Sequence, residues 1–92
     1  MRIILSSNPY RDRGLRTALE ADRILRKAGA ETVLCLPFVP KKGERLELPR
    51  QAALHKLEEE LPKADLLVCF GGDGTILHAA PGATLHGVAI LG

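Results

Sequence analysis

Short apolar runs alternate with amphipathic or turn-forming stretches along the whole chain, and this alternation most restricts what it can fold into. Ile3-Ile4-Leu5 breaks at Ser6, so Arg2 to Ser6 predicts a first strand. Ser7 to Gly14 follows as a polar loop with turn chemistry at Asn8-Pro9. Between Leu15 and Ala28 the apolar positions are Leu15, Ala18, Leu19, Leu25 and Ala28, with Arg16, Glu20, Arg23 and Lys27 facing outward. That spacing predicts an amphipathic helix, and Gly29 is placed to cap its end. Glu31 to Leu36 is the second strand. Pro37 to Pro49, with three prolines and Gly43, is a loop. Arg50 to Leu61 predicts a second helix with Ala53, Leu54, Leu57 and Leu61 on one side.

Asp65 to Phe70 is the third strand, a continuous apolar run of the kind buried on both faces. Gly71-Gly72-Asp73-Gly74-Thr75 is the turn after it. Ile76 to Ala80 begins a short helix that Pro81-Gly82 is expected to end or bend. Gly87 to Gly92 starts a fourth strand. Strands alternating with helices imply an α/β fold: a parallel sheet with right-handed crossovers and helices on both faces, in three layers. A central-looking strand at the end, with no helix after it, points to the N-terminal portion of a longer protein. A small complete domain is the alternative.

Composition narrows the function. Thirteen basic against eleven acidic residues leave +2 over 92 residues, too balanced for an electrostatic DNA binder or a polybasic membrane anchor. With no Trp, one Tyr and two Phe there is little material for a base-stacking platform. Nucleic acid and membrane are therefore not the expected partners. Cys35 and Cys69 each sit inside an apolar run, without CxxC or Cys/His ligand spacing, and read as buried free thiols. Such thiols suit a reducing compartment, and the opening apolar run is too short for a signal peptide, so the expected location is the cytoplasm.

The Gly-rich turn carries the chemistry. In a parallel sheet, ligands bind beyond the carboxyl ends of the strands, where loops pass into helices. Three glycines in four positions bring backbone close to a ligand, and the helix start offers free N–H groups and a partial positive charge suited to phosphate. A carboxylate at Asp73 is awkward beside a phosphate unless it faces another part of the substrate, such as a hydroxyl. Asp73 is equally readable as a helix cap within a tight turn. No Lys follows as a P-loop requires, and Leu77 stands where the third glycine of GxGxxG belongs.

Phe70-Gly71-Gly72-Asp73-Gly74-Thr75-Ile76-Leu77 closely resembles the GGDGT signature of NAD kinases, which diacylglycerol and sphingosine kinases share. The continuation Ile76-Leu77-His78-Ala79-Ala80 and the closing Val88-Ala89-Ile90-Leu91-Gly92 resemble the NAD kinase branch. Ile3-Ile4-Leu5-Ser6-Ser7-Asn8-Pro9 fits both branches. The resemblance covers the 92 residues but only the N-terminal portion of the family's chain. It implies a three-layer Rossmann-like nucleotide-binding domain over residues 1–92, with a β-rich C-terminal domain absent from them. Pro81-Gly82 departs from the family pattern, since relatives usually continue that helix.

By this resemblance the activity is transfer of a phosphoryl group from ATP to the 2′-hydroxyl of the adenosine ribose of NAD, giving NADP. Asp73 would be the catalytic proton acceptor, and Gly74 would approach the NAD with it. Gly71, Gly72 and Thr75 would form a backbone cradle for phosphates, and His78 would contact the nucleotide; an exposed helix histidine is the alternative for His78. Implied partners are NAD and ATP with a divalent metal, Mg²⁺, and a homo-oligomer in the full-length protein. No residue is assigned as a metal ligand. The alternatives are a lipid or sphingoid-base kinase, or a truncated non-catalytic nucleotide-binding domain. Arg11 and Arg13 in the first loop either reach phosphates or are solvated. Lys41 and Lys42 belong to the second loop, and His55 and His86 read as surface residues.

Overall fold

The computed structural model describes residues 1–37, 54–71 and 73–92, with only the backbone of Asp73. Most of the loop after Pro37, with Lys41 and Lys42, lies outside the described residues. So do residues 50–53 of the expected second helix, and Gly72. Five strands, β1 (Arg2–Ser7), β2 (Glu31–Leu36), β3 (Leu54–Lys56), β4 (Leu66–Phe70) and β5 (Ala89–Leu91), form one sheet in the order β3-β2-β1-β4-β5. Every pairing is parallel, with Ile4 opposite Val33 on one side and Leu67 on the other. The helices are α1 (Arg16–Lys27), α2 (Leu57–Glu60) and α3 (Asp73–Leu85). Short 3₁₀ turns occupy Arg13–Leu15 and Leu61–Lys63.

The strand period of two sorts the core into two layers. Ile3, Leu5 and Leu34 face α1 and pack with Leu15 and Ala18. Ile4, Val33, Cys35, Leu67 and Cys69 face the other way, onto Leu57 and Leu61 and onto Ala79 and Ala83 of α3. Ile4 and Leu5 are fully buried, each worth about 1.5–3 kcal/mol relative to exposure. The result is the expected three-layer, Rossmann-like α/β arrangement.

Gly29 caps α1 as its position suggested. It adopts φ +96°, its N–H donates to the Arg26 carbonyl, and the Ala30 N–H donates to the Leu25 carbonyl, each at 3.0 Å. These two bonds satisfy carbonyls that the helix end leaves open.

Three expectations are corrected. The segment read as a helix from Arg50 to Leu61 holds β3 from Leu54 to Lys56 and then a single helical turn. Leu57 and Leu61 pack in the layer with α3, whereas half-buried Leu54 packs in the layer with α1, so the three do not share one side. Leu54-His55-Lys56 pairs in register with Leu34-Cys35-Leu36, and those backbone bonds override local propensity. The helix expected to end or bend at Pro81-Gly82 does not end there but runs through it to Leu85. Burial of Ala79 and Ala83, at 1% and 0% exposure, offsets the hydrogen bond the proline cannot donate. Gly82 allows the close approach, since a Cβ there would lie 2.8 Å from Leu61 Cδ1. Finally, β4 is not buried on both faces: Leu67 and Cys69 are buried, whereas Leu66, Val68 and Phe70 are half-buried because α1 lies over β1 and β2.

Because Pro81 is exposed and interior to α3, Pro81→Ala is expected to stabilise the fold by about 2 kcal/mol. In a chain of this size that raises Tm by roughly 8–16 °C, readable by calorimetry. A lowered Tm would show that the proline is not strained there.

Both cysteines are free and buried, as anticipated. Burial, reinforced by the Glu60 charge, pushes the Cys35 thiol up to about 12, and burial raises Cys69 as well. Neither is expected to react with iodoacetamide at pH 8 in the folded protein; rapid labelling without denaturant would contradict their burial. Among the described residues, no helix is long and apolar enough to cross a membrane.

Candidate functional site

β1 and β4 are neighbours in the sheet although β2 and β3 lie between them in sequence. From β1 the chain passes through α1 on one face; from β4 it passes through α3 on the other. The strand order reverses at this point, the place beyond the carboxyl ends of the strands where open α/β sheets form their ligand crevice. Ser7 and Phe70 are register partners there, and the two following loops lean on each other. The Asn8 N–H donates to the Phe70 carbonyl at 3.1 Å. Gly71 adopts φ +108°, and a Cβ on it would fall 2.7 Å from Asn8 Cβ. Left-handed backbone and lack of space both require glycine at this one position.

Two helices, α1 and α3, begin after these strands. The α1 end is filled by the protein's own carboxylate. Asp12 accepts from the Thr17 N–H at 2.9 Å, the Ala18 N–H at 3.1 Å and the Ser7 hydroxyl at 2.7 Å. The chain turns into this arrangement through Gly14 and Leu15, both left-handed. For Leu15 that conformation costs about 1–2 kcal/mol. Its burial to 1% exposure contributes about 1.5–3 kcal/mol and prevails.

Burial alone would raise the Asp12 carboxyl. The hydrogen bonds from Thr17, Ser7 and Ala18 outweigh it and hold the group below the ordinary aspartate range. A depressed folded value gives stability that is complete above the unfolded pKa of about 3.9 and lost as pH falls through the lower folded value. Asp12→Ala is expected to cost about 1–2 kcal/mol at pH 7 and to flatten the acid limb of a pH–stability curve. An unchanged acid limb would refute the capping role. Sequence reading missed Asp12; an aspartate ahead of an apolar-periodic stretch was the available signal.

At α3, Asp73 is the first helical residue, so the GGDGT sequence lies at the β4-to-α3 turn, at the crevice. Gly74 is exposed, and a Cβ there would meet nothing within 4 Å. Thr75, in the first turn, is 4% exposed with its hydroxyl unpaired, and the Ser6 hydroxyl near the end of β1 is likewise buried and unpaired. Buried hydroxyls without partners are uncommon. Both flank the turn.

The structure thus sets Gly71 against Asn8, with Gly74 and Thr75 following in the first turn of α3. Arg11 and Arg13 lie exposed in that first loop. His78 is also exposed, but one turn further along α3 it lines a cavity shared with His55 and His86. His55 and His86 are surface residues as expected, but His55 is not without a partner: its Nδ1 lies 3.5 Å from Glu60 Oε1. Among the described residues no group of three or more His, Cys, Asp or Glu is arranged to hold a metal ion.

No protein-family model matches the chain, and no curated protein matches it. Among solved structures, it is similar to the crystal structure of S. aureus homoserine dehydrogenase at pH 6.0. The two share 15% identity with a TM-score of 0.47, over 98% of this chain and 32% of that one. The chain therefore spans about a third of the length of that solved chain.

Proposed function

We propose that this chain is the nucleotide-handling α/β part of an NAD kinase. The observation that carries the proposal is the position of the GGDGT turn, where β4 passes into α3 beside the end of β1. Of the two helix starts there, that of α1 is already filled by Asp12; the amino end of α3 is left for an anion in this reading, provided the Asp73 carboxylate faces the ribose and not the phosphates.

In this reading the backbone of Gly71, Gly72 and Thr75 cradles phosphate oxygens, and Gly74 approaches the NAD beside Asp73. The Asp73 carboxylate orients the ribose 2′-hydroxyl and accepts its proton as the oxygen attacks the γ-phosphate of ATP. A carboxylate is a weak base toward an alcohol. Its help comes late in the transfer, and most of the acceleration comes from positioning and charge neutralisation. Mg²⁺ supplies part of that neutralisation when bound. With no protein cage among the described residues, it is expected to arrive on the triphosphate, as Mg²⁺ commonly does.

The test supplies the full-length protein with ATP, Mg²⁺ and NAD, and reads NADP with an NADP-specific dehydrogenase. ATP-dependent NADP formation supports the reading. Phosphorylation of diacylglycerol or a sphingoid base, with none of NAD, would move the protein to the lipid kinase branch.

A further inference from the structure

A cavity of about 630 Å³ opens between α3 and the segment running from β3 through α2 to Leu61. Its size falls in the range of about 300–1,000 Å³ typical of small-molecule sites. Gly71, Gly74, Thr75 and Asn8 do not line it, so it is separate from the Gly-rich turn. We propose that it is a binding site for a planar aromatic anion.

Its walls are mainly aliphatic, from Leu36, Leu54, Leu57, Leu61 and Ala79, with Leu85 at the edge. Leu85 is 79% exposed, so a ligand seated there would remove apolar surface that the fold itself leaves in water. The polar lining is rich in groups that can donate hydrogen bonds, although Glu60 already faces His55 Nδ1 at 3.5 Å. All three histidines of the chain face this cavity, His55 from β3, His78 from α3 and His86 just beyond its end, and Lys56 joins them. Glu58 is the one carboxylate among the described lining residues.

Imidazole N–H groups and an ammonium donate hydrogen bonds, and such bonds are strongest to an anionic acceptor. The flat imidazole rings and leucine walls suit an aromatic body. Three histidines invite a metal reading, but the described residues hold no group of three ligands arranged to share an ion. An organic anion is the better match.

The probe is 1-anilinonaphthalene-8-sulfonate, an aromatic body carrying one sulfonate. On the folded protein it is expected to bind saturably, one per chain, with a micromolar Kd and a blue-shifted fluorescence. The double variant Leu85→Asp, His86→Glu places two carboxylates at the edge, at positions exposed enough to leave the fold intact; its affinity is expected to fall at least tenfold. Ile24→Asp, at an exposed apolar site on α1 across the sheet, should bind as wild type does. A second readout is independent of any variant: probe-induced amide shifts should concentrate at Leu57, Ala79, Gly82 and Leu85. Non-saturable binding, equal loss in Ile24→Asp, undiminished affinity in the double variant, or shifts centred elsewhere would each overturn the proposal.

Discussion

Asp73→Asn is expected to lower kcat for NADP formation by about 10²–10⁴-fold, the usual contribution of a positioned general base, while KM for NAD moves only a few-fold. The substitution separates the two roles open to this residue. Asparagine is as good a helix cap as aspartate, so a residue that only terminated the turn would lose neither stability nor activity. Asparagine retains the size and polarity needed to sit near a hydroxyl but cannot take its proton. A drop in kcat of about 3–5 kcal/mol in barrier terms, with an unchanged unfolding midpoint, assigns the proton to Asp73. Undiminished turnover in a folded variant would remove that role.

Gly71→Ala has the largest expected effect on stability, about 2–4 kcal/mol, because it combines two costs. Alanine must adopt φ +108°, where L side chains rarely sit, and its methyl must enter a space already held by Asn8 Cβ at 2.7 Å. Yielding here would part the two loops that define the crevice, so nucleotide affinity should fall with stability. Asn8→Gly in the same background removes the steric cost but not the conformational one, and a partial rescue is expected. Urea unfolding of the four proteins of this double-mutant cycle measures the coupling. Full additivity would show that the Gly71–Asn8 contact carries no energy.

Much of the fold was legible because most elements announce themselves locally. The apolar runs Ile3-Ile4-Leu5 and Leu67-Val68-Cys69-Phe70, the helical spacing from Leu15 to Ala28 and the glycine after it all lie where the structure uses them. What escaped depends on contacts distant in sequence. The spacing of Leu54, Leu57 and Leu61 suits one helix face. It equally suits a three-residue strand followed by one helical turn, and only pairing with β2 decides between them. Pro81 reads as a helix stop until Ala79 and Ala83 are seen buried against the sheet. Part of the site was also legible: the glycine pattern located the turn, whereas the Asp12 cap and the convergence of His55, His78 and His86 emerge only from the folded chain.

The decisive measurement is the distance between an Asp73 carboxylate oxygen and the adenosine 2′-hydroxyl in a crystal structure of the full-length protein with NAD bound. Our account predicts hydrogen-bond contact, about 2.6–3.2 Å, with phosphate oxygens at the amino end of α3. A nucleotide whose ribose lies away from Asp73, or whose phosphates displace the Asp12 carboxylate at α1, would contradict it.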